Sequence, residues 1–238
     1  MRKQIITLAV AALLGTTALY GQISIHDYDF AAGLRTGLNL GNMRLTDESY
    51  DVYEHHLSGG IIAGGYFQWR TPFGLSLVPE IGYVTRRAFL EWEDVKYRQR
   101  VHSLDIRLGV RYNFDIYGTP FSPYVVAGPV WGIALGGRVD YYDDVSGNIR
   151  MQMSSRNMRT HDVGMLCGAG FDYPFFIEDV EFNVSAEIGY TWEFVNSFTQ
   201  SERDASGNVL NRYYDTHANE GKRLTRGLEF SVRIGMPF

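Results

Sequence analysis

The sequence has 238 residues and a formal net charge of −5, with 26 glycines, 16 tyrosines and 14 phenylalanines. The acidic balance argues against a nucleic-acid-binding protein, and the single cysteine, Cys167, excludes an internal disulfide. Abundant glycine and aromatic residues are typical of β-structure with closely packed faces.

The first residues have the pattern of a signal peptide. Arg2 and Lys3 form a basic segment, an apolar core runs over residues 5–14, and small or neutral residues lead to Gly21. We expect export with cleavage after Gly21, so that 1–21 is a signal peptide and 22–238 a single domain. Because the signal carries Arg2, Lys3 and no acidic residue, its removal leaves a net charge of −7.

Apolar residues alternate with polar or small residues in eight segments of the mature chain. The segments are 33–42, 57–69, 75–86, 101–114, 123–137, 163–173, 182–194 and 227–238. In FNVSAEIGYTWEF (182–194), every second residue is apolar, and the residues between include Glu187 and Glu193. Because side chains alternate between the two faces of a strand, this period predicts strands with one apolar and one mixed face.

The links between these segments alternate in length. Short links (RTPFG, DIYGTPFS and PFFIEDV) follow segments two, four and six, and the long links cover about 43–56, 87–97, 138–162 and 195–223. Tight periplasmic turns alternating with longer extracellular loops are typical of outer-membrane barrels. The sequence therefore predicts an all-β fold, an eight-stranded antiparallel up-and-down transmembrane β-barrel surrounded by outer-membrane lipids.

Charged residues lie on the mixed face of nearly every predicted strand. A basic side chain facing lipid at the bilayer midplane costs roughly 2–4 kcal/mol, so this face must point into the barrel. An eight-stranded barrel is only wide enough for side chains to fill its interior. The predicted lumen network comprises Arg35, Glu80, Asp105, Arg107, Arg111, Asp172, Glu187, Glu193, Glu229 and Arg233, with Arg86 on the same face.

A soluble eight-stranded calyx shows the same alternation with the faces exchanged. Three features favour the membrane barrel: the alternating link lengths, the aromatic residues near strand ends such as Trp69, Phe114 and Trp192, and a last strand that ends at Phe238.

Several strands resemble those of the PorT-like outer-membrane β-barrel family of Gram-negative bacteria. The resemblance lies in GLRTGLNLG, SLVPEIGY, LDIRLGVRYNF, PYVVAGPVWG, GAGFDY and the terminal FSVRIGMPF. It implies an eight-stranded barrel in the outer membrane. Phe238 is similar to the C-terminal signal read by the barrel-assembly machinery, which is thus an implied partner during insertion. The founding members are accessory proteins of a protein-secretion and gliding system, but no motif here singles out that role.

Neither a catalytic residue, a cofactor nor a metal site is predicted. Glu54, His55 and His56 are adjacent in a predicted loop, and neighbours on an extended chain point in opposite directions. His161 and Asp162 would need a serine on a neighbouring strand, but no histidine is predicted on the interior face that carries Ser103 and Ser231. By the same parity His102 and Cys167 face lipid, and Pro129 predicts a β-bulge or a strained position in its strand.

The last two long links contain similar turns, DVSGN (144–148) and DASGN (204–208), which predict hairpins above the membrane. Paired tyrosines in DYYDD (140–144) and NRYYD (211–215) are common contact residues. The sequence favours a non-enzymatic barrel with extracellular hairpins for interaction with a protein partner or for a surface-structural role. Alternatives are a secretion-system accessory, a small solute pore and a lipid-modifying enzyme.

Overall fold

The structure, a computed structural model, describes residues 30–45, 54–92, 95–114, 116, 118–143, 147–153, 160–194 and 223–238. The predicted signal peptide and the DASGN turn lie outside these residues. The strands are β1 (Phe30–Leu45), β2 (Glu54–His56), β3 (Ser58–Arg70), β4 (Leu75–Trp92), β5 (Val95–Asn113), β6 (Ser122–Asp143), β7 (Gly147–Met153), β8 (His161–Ile177), β9 (Val180–Glu193) and β10 (Arg223–Pro237). Within this part of the chain, no helix has the length and apolar character needed to cross a membrane.

Eight of these strands close into an antiparallel barrel in the order β1, β3, β4, β5, β6, β8, β9, β10. The circle closes between β1 and β10, where Arg35 lies opposite Arg233. The short strands β2 and β7 lie outside the circle and pair with β4 and β6. Each strand of the barrel pairs with its neighbour in the chain, so the predicted eight-stranded up-and-down barrel is confirmed.

The strands extend further at one end of the barrel than the sequence predicts. β4 and β5 remain paired as far as Trp92 opposite Val95, so the prediction of a long loop over 87–97 is wrong. Beyond the lipid, apolar and polar residues need not alternate, because both faces of the strand meet water. The backbone hydrogen bonds between β4 and β5 therefore continue where the sequence no longer shows the alternation. The hairpin predicted around DVSGN is present in the backbone pairing of β6 with β7, from Gly137 opposite Met153 to Asp143 opposite Gly147.

The opposite end of the barrel carries the short turns. In the first, Gly74 has a φ of 78°, and the Asn113 N–H donates to its carbonyl oxygen at 2.8 Å. The β8–β9 turn places Glu178 at a φ of 56°. The Phe238 N–H donates to the carbonyl oxygen of Phe30 at 2.9 Å, so β1 begins and β10 ends here. Short turns mark the periplasmic end of such barrels.

Two prolines interrupt the ladder without changing the register. The pairing of β5 with β6 is broken beside Pro129, between Arg107–Val130 and Val110–Ala127, and the same register resumes. The pairing of β3 with β4 is broken in the same way beside Pro79. Proline lacks the N–H that a ladder bond needs. Of the two alternatives predicted for Pro129, the bulge is therefore wrong. The register of β5 with β6 shifts instead between His102 and Ser103, where Leu135 is the extra residue.

The apolar face of the barrel lies outside and the mixed face inside. Leu34 is 74% exposed, whereas Arg233 is only 2% exposed. Cys167 faces outward, as its parity predicts. Aromatic residues gather near both ends of the outer face: the rings of Phe30, Phe67 and Phe238 lie 5.8–6.3 Å apart, and Tyr190 packs on Trp192 at 5.8 Å. Such girdles lie at the two membrane interfaces of outer-membrane barrels.

Candidate functional site

The barrel interior holds a dense set of buried charges. Within the described residues, six arginines and seven carboxylates are buried: Arg35, Arg70, Arg86, Arg107, Arg111 and Arg233, with Glu80, Asp105, Asp162, Asp172, Glu187, Glu193 and Glu229. All ten residues of the predicted lumen network belong to this set. The near balance of charge limits the cost of burying them, and ion pairs join eleven of the thirteen, all except Arg70 and Asp162 among the pairs described.

Arg233 lies at the centre and joins carboxylates from two sides of the barrel. Its guanidinium donates to Glu80 on β4 at 2.5 Å and to Glu187 on β9 at 2.6 Å. The same guanidinium donates to the Tyr124 hydroxyl on β6 at 3.1 Å, and that hydroxyl donates to Glu187 at 3.2 Å. One planar side chain thereby cross-links strands on opposite sides of the barrel, a role suited to the fixed fork of arginine.

A second group surrounds Glu229 on β10. Arg107 donates to both carboxylate oxygens of Glu229, at 2.5 and 2.9 Å, and the Thr191 hydroxyl donates to it at 2.9 Å. Arg35 donates to Glu229 at 3.1 Å and to Glu80 at 3.0 Å. Because Glu80 also accepts from Arg233, the two groups form one continuous network across the lumen.

Smaller groups close the two ends of this network. Toward the extracellular end, Arg86 donates to both oxygens of Asp105, at 3.1 and 2.7 Å, and pairs with Glu193 at 2.9 Å. Toward the periplasmic end, Asp172 pairs with Arg111 and accepts from Ser185 at 2.6 Å.

The network leaves little free volume. A cavity of about 10 Å³ lies beside Arg35, Glu80 and Arg107, which is space for about one water molecule. A hydrated ion or a metabolite is far larger. The arrangement can therefore brace the barrel wall, and the cavity beside Arg35, Glu80 and Arg107 is too small for a solute.

The residues weighed for catalysis are dispersed or already bonded. Ser103 donates to Asp105 at 3.0 Å, and Ser231 accepts from Arg35 at 3.1 Å. His102 and His161 face outward, against Tyr83 and Trp131 respectively. No histidine lies in the described part of the lumen, so neither serine has an imidazole base beside it, and Asp105 is itself held by Arg86 and Arg107.

The residues weighed for metal binding do not converge either. Residues 54–56 form β2 rather than the solvated loop that the sequence predicts, because they pair with the extended end of β4. The His56 ring nitrogen lies 3.7 Å from a Glu91 oxygen. No group of three candidate metal ligands occurs among the described residues.

Three lumen residues were missed or misinterpreted in the sequence. Arg70 was assigned to the RTPFG turn but ends β3 with a buried side chain. No role is predicted for Tyr124 from the sequence, although its position next to outward-facing Val125 places its side chain inside the barrel. Asp162 is buried while His161 is exposed, so the two cannot act together. Strict parity would have found all three.

These features define an antiparallel transmembrane β-barrel with a closed, charged lumen. Residues 22–199 match the family described as outer membrane protein beta-barrel domain. The chain belongs to this family and is located in the outer membrane.

Solved structures of similar architecture include several outer-membrane barrels. Neisserial surface protein A has 12% identity and a TM-score of 0.40, with 87% of this chain and 99% of that chain covered. OprG from Pseudomonas aeruginosa has 13% identity and a TM-score of 0.46, covering 89% and 96%. The outer membrane protease OmpT from Escherichia coli has 9% identity and a TM-score of 0.40, covering 91% and 100%. No curated protein sequence matches this chain.

Proposed function

We propose that the protein is a non-enzymatic outer-membrane barrel that holds extracellular hairpins for contact with a partner or for the structure of the cell surface. The observation that carries this proposal is the filled lumen, in which Arg35, Arg107 and Arg233 are each bonded to carboxylates of other strands. A barrel that is sealed and braced in this way is a rigid support. Its accessible parts are the strands that continue past the lipid.

Two hairpins offer such accessible parts. The β4–β5 hairpin continues for six residues from Arg87 to Trp92, about 20 Å of extended chain at roughly 3.3 Å per residue. The β6–β7 hairpin lies beside it, since β6 pairs with both β5 and β7. Together they form a small four-stranded sheet outside the membrane, with Lys96 and Asp140 among its residues.

Site-specific crosslinking in intact cells tests this proposal. A photo-crosslinking residue at Lys96, on the extracellular sheet, should give a discrete crosslinked product. The matched control is the same residue at Phe73, which is 81% exposed in a periplasmic turn. Crosslinks to lipid alone from Lys96, or the same product from both positions, would contradict a partner at the hairpins. A surface-structural role would then be tested by measuring envelope integrity after deletion of the gene.

Conductance in planar bilayers distinguishes this proposal from a solute pore. The wild-type barrel should show no steady open channel, because ion pairs cross the lumen and the cavity beside Arg35, Glu80 and Arg107 has space for about one water. Replacing Arg107 and Glu229 together by glycine removes a bonded pair and leaves neither of the two charges behind. This double variant should conduct measurably more than the wild type. Steady conductance by the wild type would establish the pore alternative.

The alternative of a secretion accessory rests on the resemblance of strands such as PYVVAGPVWG to the PorT-like branch. Deletion of the gene, followed by an assay of exported cargo, tests it directly. We expect unchanged export, which would remove this alternative. A block in export that the wild-type gene restores would replace our proposal with the secretion role.

We also propose that Phe238 serves as an insertion signal. Its ring packs against Phe30 and Phe67 at the periplasmic girdle and is 69% exposed, so it is accessible before the barrel closes. The variant Phe238→Ser should lower the fraction of chains that assemble, as measured by heat-modifiable gel mobility, whereas Phe73→Ser should not. Equal assembly of the two variants would contradict this role.

A further inference from the structure

A row of three arginines crosses the outer face of the barrel. Arg87 on β4 lies directly opposite Arg100 on β5, and Arg100 lies directly opposite Arg138 on β6. Directly opposed residues in adjacent strands have their Cβ atoms about 4.5–5.5 Å apart, and like charges in this position repel. We call these residues the outer arginine row.

The outer arginine row faces away from the lumen. The neighbours of Arg87 and Arg100 along their strands, Arg86, Ala88, Gln99 and Val101, are all buried inside the barrel. Arg138 joins the row only because of the bulge at Leu135. Below the bulge, even-numbered residues of β6 such as Val130 point inward; above it, Arg138 pairs with outward Arg100.

The row lies just above the apolar band on the extracellular side. On the same three strands, Ile81, Ile106 and Trp131 form a lipid-facing row. Arg87 is six residues beyond Ile81, which is about 20 Å along a tilted strand. Between these two levels, the rings of Tyr83 and His102 stack with their centroids 5.8 Å apart. Aromatic residues at this depth are typical of the girdle at a membrane interface. Long arginine side chains at this level can reach the headgroup layer.

Among the residues that the structure describes, the positive charge of the row is only partly compensated. Arg100 is repelled by both Arg87 and Arg138. The Nε of Arg87 is buried and has no hydrogen-bond partner within the described residues. In the described part of the chain, Asp140 lies 3.4 Å from Arg138 and directly opposite Arg98, so it is shared between two arginines. Arg98 lies two residues before Arg100 on the same face of β5 and adds a further guanidinium, 5.1 Å from the centre of the Phe89 ring. This is a local basic patch on a chain with a net charge of −5.

We propose that the outer arginine row binds the phosphate groups of anionic glycolipid headgroups in the outer leaflet. Phosphate accepts bidentate hydrogen bonds from arginine, and three aligned guanidiniums match several phosphate oxygens presented at one depth. The membrane supplies such phosphates at the level where the row lies. The bound phosphates neutralise the outer arginine row in the way that carboxylates neutralise the arginines inside the lumen. These contacts fix the depth of the barrel in the membrane, and they form on the β4–β6 side of the barrel.

Binding in membranes of defined composition tests the proposal. The full mature barrel is placed in phosphatidylcholine nanodiscs, with or without diphosphorylated lipid A, and its association with lipid A is measured by native mass spectrometry. The triple variant Arg87→Gln/Arg100→Gln/Arg138→Gln should bind about 100-fold more weakly, since each basic residue near an anionic surface contributes about fivefold. The control is Arg226→Gln, a half-exposed arginine of β10 that lies opposite Trp192 and outside the row.

Two further arms identify the source of the phosphate. Lipid A should raise the thermal midpoint of the wild type but not of the triple variant, because a ligand of the folded state stabilises it. Inorganic phosphate at 100-fold molar excess should not displace lipid A; displacement would show a site for free phosphate and overturn the lipid proposal. Equal binding of lipid A by the wild type and a folded triple variant would also overturn it. Heat-modifiable gel mobility establishes that the variant is folded.

Discussion

Arginine occurs in two contrasting surroundings in this barrel. In the lumen, Arg233 is bonded to Glu80, Glu187 and Tyr124 and is almost fully buried. In the outer arginine row, Arg100 faces outward between two other arginines. The lumen supplies its own counter-charges within one chain, whereas the outer row needs them from elsewhere. Whether a charged residue is stable in a membrane protein therefore depends on its charged partners as much as on its depth in the bilayer.

The largest effect is expected from removing a shared lumen carboxylate. Glu229→Ala leaves Arg35 and Arg107 without a partner that each now has at 3.1 and 2.5 Å. Breaking a buried ion pair from one side costs about 3–5 kcal/mol, and the free energy of unfolding in micelles should fall by that amount, as measured by urea titration. The control is Glu91→Ala, which breaks the partly exposed pair with Lys96 at 3.0 Å and should cost about 0–1 kcal/mol. Equal losses would show that the lumen is well hydrated.

A new arginine on the outer face should be tolerated only near the ends of the barrel. Leu108 faces outward opposite Pro79, between the outward-facing Leu104 and Tyr112 in the lipid-facing part of β5. Leu108→Arg should cost about 2–4 kcal/mol of unfolding free energy, because this is the cost of a basic residue at the bilayer midplane. Leu75→Arg, at the periplasmic end of β4, should cost about 0–1 kcal/mol. Similar costs at both depths would place the lipid band elsewhere on the barrel.

A smaller effect should follow from crowding the wall behind the lumen network. A Cβ at Gly33 would collide with the backbone carbonyl oxygen of Ile234, whereas a Cβ at Gly59 would meet nothing within 4 Å. Gly33→Ala should therefore lower the free energy of unfolding by about 1–3 kcal/mol, the usual cost of overpacking. Gly59→Ala should leave it nearly unchanged in the same urea titration. An unchanged Gly33→Ala variant would mean that β1 and β10 can separate to make room.

Much of the barrel could be predicted from the sequence, because one period and one lipid requirement act on every strand. The side of Arg35 or Glu187 follows from parity alone. Their partners do not, since Arg35 and Glu229 are 194 residues apart and only the registers between strands bring them together. The ends of β4 and β5 were missed because alternation fades where both faces meet water.

The outer arginine row could not be predicted, for a specific reason. Arg87 fell in a predicted loop, and Arg138 changes face at the Leu135 bulge. The sequence predicts a bulge or a strained position at Pro129, and there the missing N–H only interrupts the ladder. A single extra residue decides whether an arginine points into the lumen or toward lipid.

The smallest expected effect sharpens the contrast between the two sets of arginines. In a neutral lipid, Arg100→Gln removes two like-charge cross-strand contacts, each unfavourable by about 0.2–1 kcal/mol. The free energy of unfolding should therefore stay constant or rise by up to about 2 kcal/mol, whereas any lumen arginine replaced by glutamine should lower it. Arg226→Gln serves as the control, because Arg226 lies opposite Trp192 rather than another arginine. A clear loss of stability for Arg100→Gln would mean that Arg100 is already neutralised within the protein, and the outer row would then need no anion from the membrane.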